Sequence, residues 1–319
     1  MRRLITTSGR VVEASDEHIT ACLGTSDREG FWLDIEAPDE ADYRLLERGF
    51  GFHPLTIDDI QEVTERPKLD EYASYLFLVV FTARLEGDDV RFMEQHLYAG
   101  KRLVVTVHHE AQPELDALRD RIRRGPELTR GSPGFLLYLV VDTLIDAMFP
   151  TLDRLDETVD RIQDTVVERP SAQLLRRIYD LKHTVIDLRR QLGAQRDLVQ
   201  QLVSRTSELH GLEIGLYYRD VYDHVVRQYE TVDSLRDLLT GTVDVYLSTV
   251  SARENSTMKQ LTVVASLFLP LSFLTGFFGM NFAFLVDRIG SPWAFGIGVG
   301  LMGAVTLLQL GIFRVRGLL

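Results

Sequence analysis

The sequence predicts an α+β membrane protein, and three observations support this prediction. Strand-like and helix-like segments alternate over residues 1–130, which indicates a mixed α/β domain. Long helical patterns follow, and the last of them, from Leu216 to Thr257, contains no proline. No charged residue occurs between Gln260 and Val286, and about 20 apolar residues are enough to cross a hydrocarbon layer of ~30 Å.

The N-terminal domain contains five candidate strands that are rich in Val, Leu, Phe and Tyr. They are Arg3–Thr6, Phe31–Ile35, Tyr75–Arg84, Arg91–Tyr98 and Leu103–His108. Helical patterns lie between them at Asp39–Gly49, Leu55–Gln61 and Pro113–Arg123. Gly87-Asp88-Asp89 predicts a hairpin turn. His108 and His109 are adjacent on a strand and point to opposite faces, so we do not expect them to share a metal ion.

Composition excludes several classes of protein. The 319 residues carry a net charge of −12, which argues against a nucleic-acid partner, and 26% of them are charged, which excludes an all-membrane protein. A single cysteine, Cys22, excludes a disulfide framework. The sequence has no phosphate-binding loop, nucleophile elbow or HExxH motif, so we do not predict an enzyme. The first residues lack the apolar run of a signal peptide, so we expect the hydrophilic part to remain in the cytoplasm.

Residues 131–210 predict a helical hairpin of two oppositely charged helices. The segment that begins at Phe135 is apolar enough to imitate a span, but Asp142 and Asp146 would each cost about 3 kcal/mol at a bilayer centre. Acids recur along one face of this first helix at Asp142, Asp146, Asp153, Glu157, Asp160 and Asp164. The returning helix, from Ala172 to about Val203, is rich in Arg. The two helices form either a solvated, salt-bridged pair or an acidic surface that concentrates cations.

A third helix follows a predicted break at Gly211 and Gly215 and enters the membrane without a helix breaker. A stripe of mostly small or polar residues recurs along the span at steps of three and four. They are Asn255, Met258, Thr262, Ala265, Leu269, Ser272, Gly276 and Gly279. One interpretation is close helix packing through small residues. The other is a water-filled pore lined by Asn255, Thr262, Ser272 and backbone carbonyls freed near Pro270 and the glycines. Spacing alone does not choose between them.

The second span is predicted at Trp293–Phe313, and Gly296, Gly298, Gly300 and Gly303 in it suit close packing. Positive residues at the inner ends of both spans, such as Arg253 and Arg314, predict that both termini are cytoplasmic. The predicted segments are the α/β domain 1–130, hairpin 131–210, stalk helix 211–258, first span 259–282, outer loop 283–292, second span 293–313 and basic tail 314–319.

The end of the first span carries a motif that favours the pore. Gly279-Met280-Asn281 lies next to a short loop and a second span, and this arrangement resembles the CorA family of divalent-cation channels. Three further segments resemble CorA in the same order: Tyr218–His224, Asp244–Ser248 and Phe268–Phe273. The resemblance implies a funnel-shaped homopentamer in the plasma (inner) membrane that conducts hydrated Mg²⁺, with Co²⁺ or Ni²⁺ tolerated, and that has no organic cofactor.

The resemblance also implies roles for individual residues. Gly279, Met280 and Asn281 form the selectivity filter. The pore-lining and gate residues are Asn255, Met258, Leu261, Thr262, Leu269, Ser272 and Gly276. Asp220 matches the family position that binds a regulatory Mg²⁺ between subunits, and its candidate partners are Glu86, Asp88 and Asp89. Ion bound there would hold the subunits together and close the pore.

Two alternatives stay open at this point. The outer loop carries a single acid, Asp287, beside Arg288, whereas CorA proteins typically carry several acids there. This departure leaves room for the related zinc-transporting ZntB branch. A different class of function is a membrane-anchored cytosolic sensor or adaptor, which would need neither the polar stripe nor Asn281.

Overall fold

A computed structural model describes residues 1–24, 29–62, 66–87, 89–210, 212–280, 283, 286 and 290–316. The chain forms two compact units, Met1–Val243 and Asp244–Leu319. The seven strands are β1 Arg2–Thr6, β2 Val11–Val12, β3 Phe31–Glu36, β4 Lys68–Glu71, β5 Tyr75–Glu86, β6 Asp89–Gly100 and β7 Leu103–His108. The helices are α1 Asp16–Gly24, α2 Glu40–Arg44, α3 Pro54–Gln61, α4 Pro113–Arg124, α5 Pro133–Asp146, α6 Phe149–Glu168, α7 Ala172–His210, α8 Leu212–Phe278 and α9 Pro292–Val315. A π-helical turn, Leu45–Gly49, extends α2, and a 3₁₀ turn, Pro126–Thr129, follows α4.

The first unit is built on one seven-stranded sheet with the order β2-β1-β3-β7-β6-β5-β4. Among the described strands, β3 and β7 pair in parallel and the other neighbouring pairs are antiparallel. All five predicted strands are present. The sequence analysis missed β2, which has two residues, and β4 (KLDE), which is a polar edge strand without an apolar pattern. The predicted hairpin joins β5 to β6 with Glu86 opposite Asp89, and Gly87 adopts the φ of +67° that such a turn requires.

Helices cover both faces of the sheet. One face packs against α1–α3 through residues such as Leu33 and Phe77, and the other packs against α4, α5, α7 and α8. His108 and His109, which the sequence analysis separated, have different partners. His108 donates from Nδ1 to the Glu110 carbonyl (2.6 Å) and lies 3.0 Å from Asp34. The Nε2 of His109 is 2.7 Å from the Ile60 carbonyl.

The apolar segment that imitates a span is a core helix of the first unit. Val140, Leu144 and Ile145 of α5 are fully buried against the sheet. The sequence from Phe135 to Glu168 has one internal proline, Pro150, and predicts one helical stretch, but the structure divides it into α5 and α6. Pro150 lies in the first turn of α6, where its missing N–H removes no helical hydrogen bond.

The long helix α8 begins at Leu212 and continues through the unit boundary to Phe278. Gly215 therefore lies inside the helix rather than at a break, and Gly211 lies outside the described residues. Both C-terminal helices are long and apolar enough to cross a membrane. The expected fold of an α/β domain, long helices and two C-terminal spans is thus confirmed.

Candidate ion pathway and cytosolic metal cluster

One face of the membrane part of α8 packs against α9. Val263 is buried at 8% exposure, and six more residues of this face are partly buried. They are Ser266, Leu267, Pro270, Leu271, Leu274 and Phe278. Near the outer end, the ring of Phe278 lies against Gly298, the buried glycine of α9. Gly296, Gly300 and Gly303 have open space where a Cβ would stand, so these glycines do not contact α8 of the same chain.

The predicted polar stripe occupies the opposite face of α8. At 3.6 residues per turn, the stripe positions lie about half a turn away from the positions that contact α9. Every stripe residue from Asn255 to Gly279 is exposed within one chain, and Leu269 and Met258 reach 75% and 64%. Leu261, the other gate candidate, is 69% exposed and lies at the edge of the stripe. The helix therefore presents an uncovered face of small, polar and a few large apolar residues.

The carbonyl that Pro270 frees is not available to this face. Proline has no N–H, so the helix leaves the Ser266 carbonyl without its usual partner four residues on. The side-chain Nε2 of Gln309 in α9 donates to this carbonyl at 2.8 Å. The expectation that carbonyls near Pro270 line a pore is therefore wrong for Ser266, because its carbonyl points toward α9.

The Gly-Met-Asn motif, the predicted filter, begins directly after the C-terminal end of α8. The helix ends at Phe278, and the N–H groups of Gly279 and Met280 still bond the last turn, to the Thr275 carbonyl (2.9 Å) and the Phe277 carbonyl (3.4 Å). A Cβ at Gly279 would stand only 3.0 Å from the Thr275 carbonyl, so this position has little room for a larger residue. Asn281 lies outside the described residues.

A group of potential metal ligands lies in the first unit, where α5 faces α8. Asp142, Asp146 and His224 each offer a ligand atom, and these atoms lie within 4.8 Å of one another. The Nδ1 of His224 is 2.7 Å from Asp146, and its Nε2 is 4.0 Å from Asp220. Asp142, Asp146, Asp220 and His224 therefore combine three carboxylates and one imidazole on two helices. We name this group the cytosolic cluster, after the location that the sequence predicts for the first unit.

The electrostatics of the cytosolic cluster favour a cation. Burial, together with the nearby charges of Asp146 and Asp220, raises the pKa of Asp142 to about 6, and His224 opposes this rise. The Oδ1 of Asp142 is buried and has no hydrogen-bond partner within the described part of the chain. A bound divalent cation would both neutralise these carboxylates and supply the missing partner.

The structure does not bring the predicted partners of Asp220 to it within one chain. Glu86 pairs with Arg91 at 3.5 Å, and Asp89 lines a cleft with Leu155, Arg177 and Asp180. Asp88 lies outside the described residues. Sequence reasoning instead missed His224 as a ligand. Asp142 and Asp146, four residues apart on one helix face, were the available signal, but nothing in the sequence placed His224 opposite them.

The acidic surface of α6 faces solvent. Asp153, Glu157, Asp160 and Asp164 are exposed, and none of them forms an ion pair within the described ranges. The basic helix α7 pairs instead with α8, where Arg189 contacts Asp233 at 2.6 Å. The prediction of salt bridges between α6 and α7 is therefore wrong for these four acids. The surface stays negative and hydrated.

An α/β unit in a chain that also has two candidate membrane spans, one of them with an uncovered polar stripe, is compatible with a membrane transport protein. The sequence matches the family described as CorA-like Mg²⁺ transporter protein over residues 27–314. The chain therefore belongs to the CorA-like family and is a divalent-cation transporter.

Relatives and solved structures agree with this assignment. The chain is 31% identical to the cobalt/magnesium transport protein CorA of Thermotoga maritima over 289 residues, covering 89% of this chain and 82% of that one. It is also 31% identical to the putative metal ion transporter YfjQ of Bacillus subtilis, covering 90% and 89%. In fold it resembles the CorA magnesium transporter of Methanocaldococcus jannaschii, with a TM-score of 0.80, 19% identity and coverage of 98% and 97%.

Proposed function

We propose that the chain forms a homopentameric channel that admits Mg²⁺, with Co²⁺ and Ni²⁺ tolerated, down its electrochemical gradient. One observation carries this proposal: the stripe from Asn255 to Gly279 is uncovered on the face of α8 opposite α9. Single spans have no use for such a face in lipid, whereas identical helices around an axis can turn it toward water. An anchor for a sensor or adaptor would not require it.

The chemistry of Mg²⁺ suits this lining. Mg²⁺ binds at about 2.0–2.1 Å in octahedral geometry and sheds its water reluctantly, so a filter must hold the ion in its hydration shell. In this proposal Asn281 supplies a ring of amide oxygens at the outer mouth, shaped by Gly279 and Met280. Asn255 forms a second polar ring at the inner end, and Met258 with Leu261 or Thr262 forms the apolar gate.

The proposed topology places both termini in the cytoplasm and the spans in the plasma (inner) membrane. The positive residues beside the inner ends of α8 and α9 support this orientation. A membrane potential contributes about 2.3 kcal/mol per charge per 100 mV, and therefore about twice that for a divalent ion. Entry then needs no hydrolysis.

Regulation is proposed at the cytosolic cluster. When cytosolic Mg²⁺ is high, an ion held there would neutralise Asp142, Asp146 and Asp220 and would stabilise the closed pore. The exposed Asp220 (64%) is the member that can also meet Glu86, Asp88 or Asp89 of a neighbouring subunit. The mixed set of carboxylates and an imidazole would also accept Co²⁺ or Ni²⁺.

Flux into proteoliposomes tests the proposed function. Wild type should admit Mg²⁺, and Asn281→Ala should remove most of that flux at equal protein content. Leu308→Ala, a 66% exposed residue of α9, is the control and should conduct normally. The same assay with Mg²⁺, Co²⁺ and Zn²⁺ series separates the proposed preference from a ZntB-like zinc transporter. If wild type passes none of these ions, the proposed channel function is wrong and the sensor or adaptor function is favoured.

A further inference from the structure

The hydrogen bond from Gln309 to Ser266 lies at a special point of the membrane unit. Pro270 removes the one helical donor that the Ser266 carbonyl would otherwise have. In hydrocarbon no water replaces this donor, so a carbonyl there must find a partner in the protein. Gln309 supplies that partner from α9 at 2.8 Å. The bond joins the two spans through residues that are 43 positions apart in the chain.

A glutamine side chain at this position carries a free-energy cost unless its polar atoms form hydrogen bonds. Gln309 lies in the C-terminal half of a mostly apolar helix, and its Oε1 is buried with no hydrogen-bond partner in the described part of the chain. The nearby Thr306 bonds the Met302 carbonyl of its own helix, at 2.9 Å. Within the described part of α9, Gln309 is thus the apolar-stretch residue whose side chain bonds the backbone of α8.

The position of the bond relates it to the ion pathway. Pro270 removes one hydrogen bond from the interior of α8, so the helix backbone alone holds the outer segment less firmly at this point. That segment carries Leu269, Ser272 and Gly276 on the uncovered face and ends at the Gly-Met-Asn motif. A bond from α9 at the proline therefore fixes the orientation of the segment that carries the pathway residues.

We propose that Gln309 is a positioning residue for ion conduction, because it bonds the carbonyl that Pro270 leaves free and so holds the outer half of α8 in its conducting orientation. This inference rests on the proposed channel function. The inference adds a residue of α9 that is neither in the stripe nor in the filter motif. In this proposal Gln309 acts through the carbonyl of Ser266, so its effect depends on Pro270.

A double-mutant cycle between Gln309 and Pro270 tests this dependence. Gln309→Leu keeps the volume and removes the donor, and hydrogen bonds between spans support an expected loss of Mg²⁺ flux of about three- to tenfold. Pro270→Ala restores an N–H for Ser266, so Gln309→Leu should change flux less than about twofold in that background. Pro270→Ser restores the same N–H and replaces Pro270→Ala if that variant does not fold.

The control and the contrary outcomes separate the explanations. Thr306→Val removes a neighbouring polar group of α9 that does not bond α8, and it should keep flux within about twofold of wild type. Equal losses from Gln309→Leu in the wild-type and Pro270→Ala backgrounds, or no loss in the wild-type background, would overturn the inference. If wild type passes no ion, the proposed function fails. The same cycle read as Tm in detergent then tells the two failures apart: a loss of thermal stability only in the background that keeps Pro270 supports the bond to Ser266, and equal losses overturn it as well.

Discussion

Two parts of the molecule are similarly apolar but differ in how much of their surface is buried within the chain. The helical stretch Pro133–Glu168 of the first unit and the two C-terminal helices are all long and apolar enough to span a membrane. In the first, 56% of the most apolar window is buried inside the chain, against 6% in each of the other two. The first unit therefore completes its own core, whereas the apolar surface of the second is left uncovered within one chain. Hydropathy alone does not distinguish the two cases.

The largest expected effect comes from matched leucines in the two parts. Leu144 of α5 is fully buried, and Leu144→Ala should lower the free energy of unfolding by about 2–5 kcal/mol because it leaves a cavity. Leu308 of α9 is 66% exposed, and Leu308→Ala should change stability little. Thermal unfolding of the full chain in detergent compares them. Equal losses would mean that the two helices are covered to the same extent within the chain.

A smaller effect on stability should come from the cytosolic cluster, where the first unit contains carboxylates rather than apolar side chains. The pKa of Asp142 is raised to about 6 from an ordinary value of 3.8, so the folded state binds this proton more tightly. The stability that this group contributes is fully present below pH 3.8 and is lost as the pH rises through about 6. Asp142→Asn should therefore raise Tm at pH 7.5 without metal and leave it nearly unchanged at low pH.

Mg²⁺ should act on the same group. Because protons compete for Asp142, Mg²⁺ should raise Tm more at pH 7.5 than at pH 5, and Asp142→Asn should reduce this gain. Asp153→Asn, on the exposed acidic surface of α6, is the matched control and should keep it. A gain in Tm that is independent of pH and of Asp142 would place the bound ion elsewhere.

The smallest effect should come from the exposed ion pair between α7 and α8. Arg189 and Asp233 lie 2.6 Å apart, with side chains 39% and 37% exposed. Water screens such a pair, so Arg189→Gln should cost at most about 1 kcal/mol, and less at high salt. A loss comparable to that of Leu144→Ala would show that this pair is much less solvated than its exposure indicates.

The sequence predicted well what depends on local pattern. Apolar runs located the five long strands, Asp142 and Asp146 separated a core helix from the spans, and the three-four spacing from Asn255 to Gly279 identified the face opposite α9. These features depend on neighbours within a few turns or on the mean polarity of a segment.

The sequence did not predict contacts between side chains that are far apart along the chain. His224 lies 78 residues from Asp146, and neither helix pattern specifies that they face each other. The carbonyl of Ser266 was expected in the pore because Pro270 frees it, but Gln309, far along the chain, bonds it instead. The break between α5 and α6 was also missed, because a proline can lie inside a helix or begin one, and only packing decides.

Cysteine accessibility tests the central claim that the uncovered face of α8 meets water. The single native Cys22 is replaced by Ser, and Leu269→Cys is compared with Leu308→Cys, since the two side chains are similarly exposed in one chain, at 75% and 66%. In proteoliposomes that conduct Mg²⁺, a membrane-impermeant, charged thiol reagent should modify the Leu269→Cys variant and block its flux, and should leave the Leu308→Cys variant unmodified. Modification of the Leu308→Cys variant but not of the Leu269→Cys variant would contradict the account.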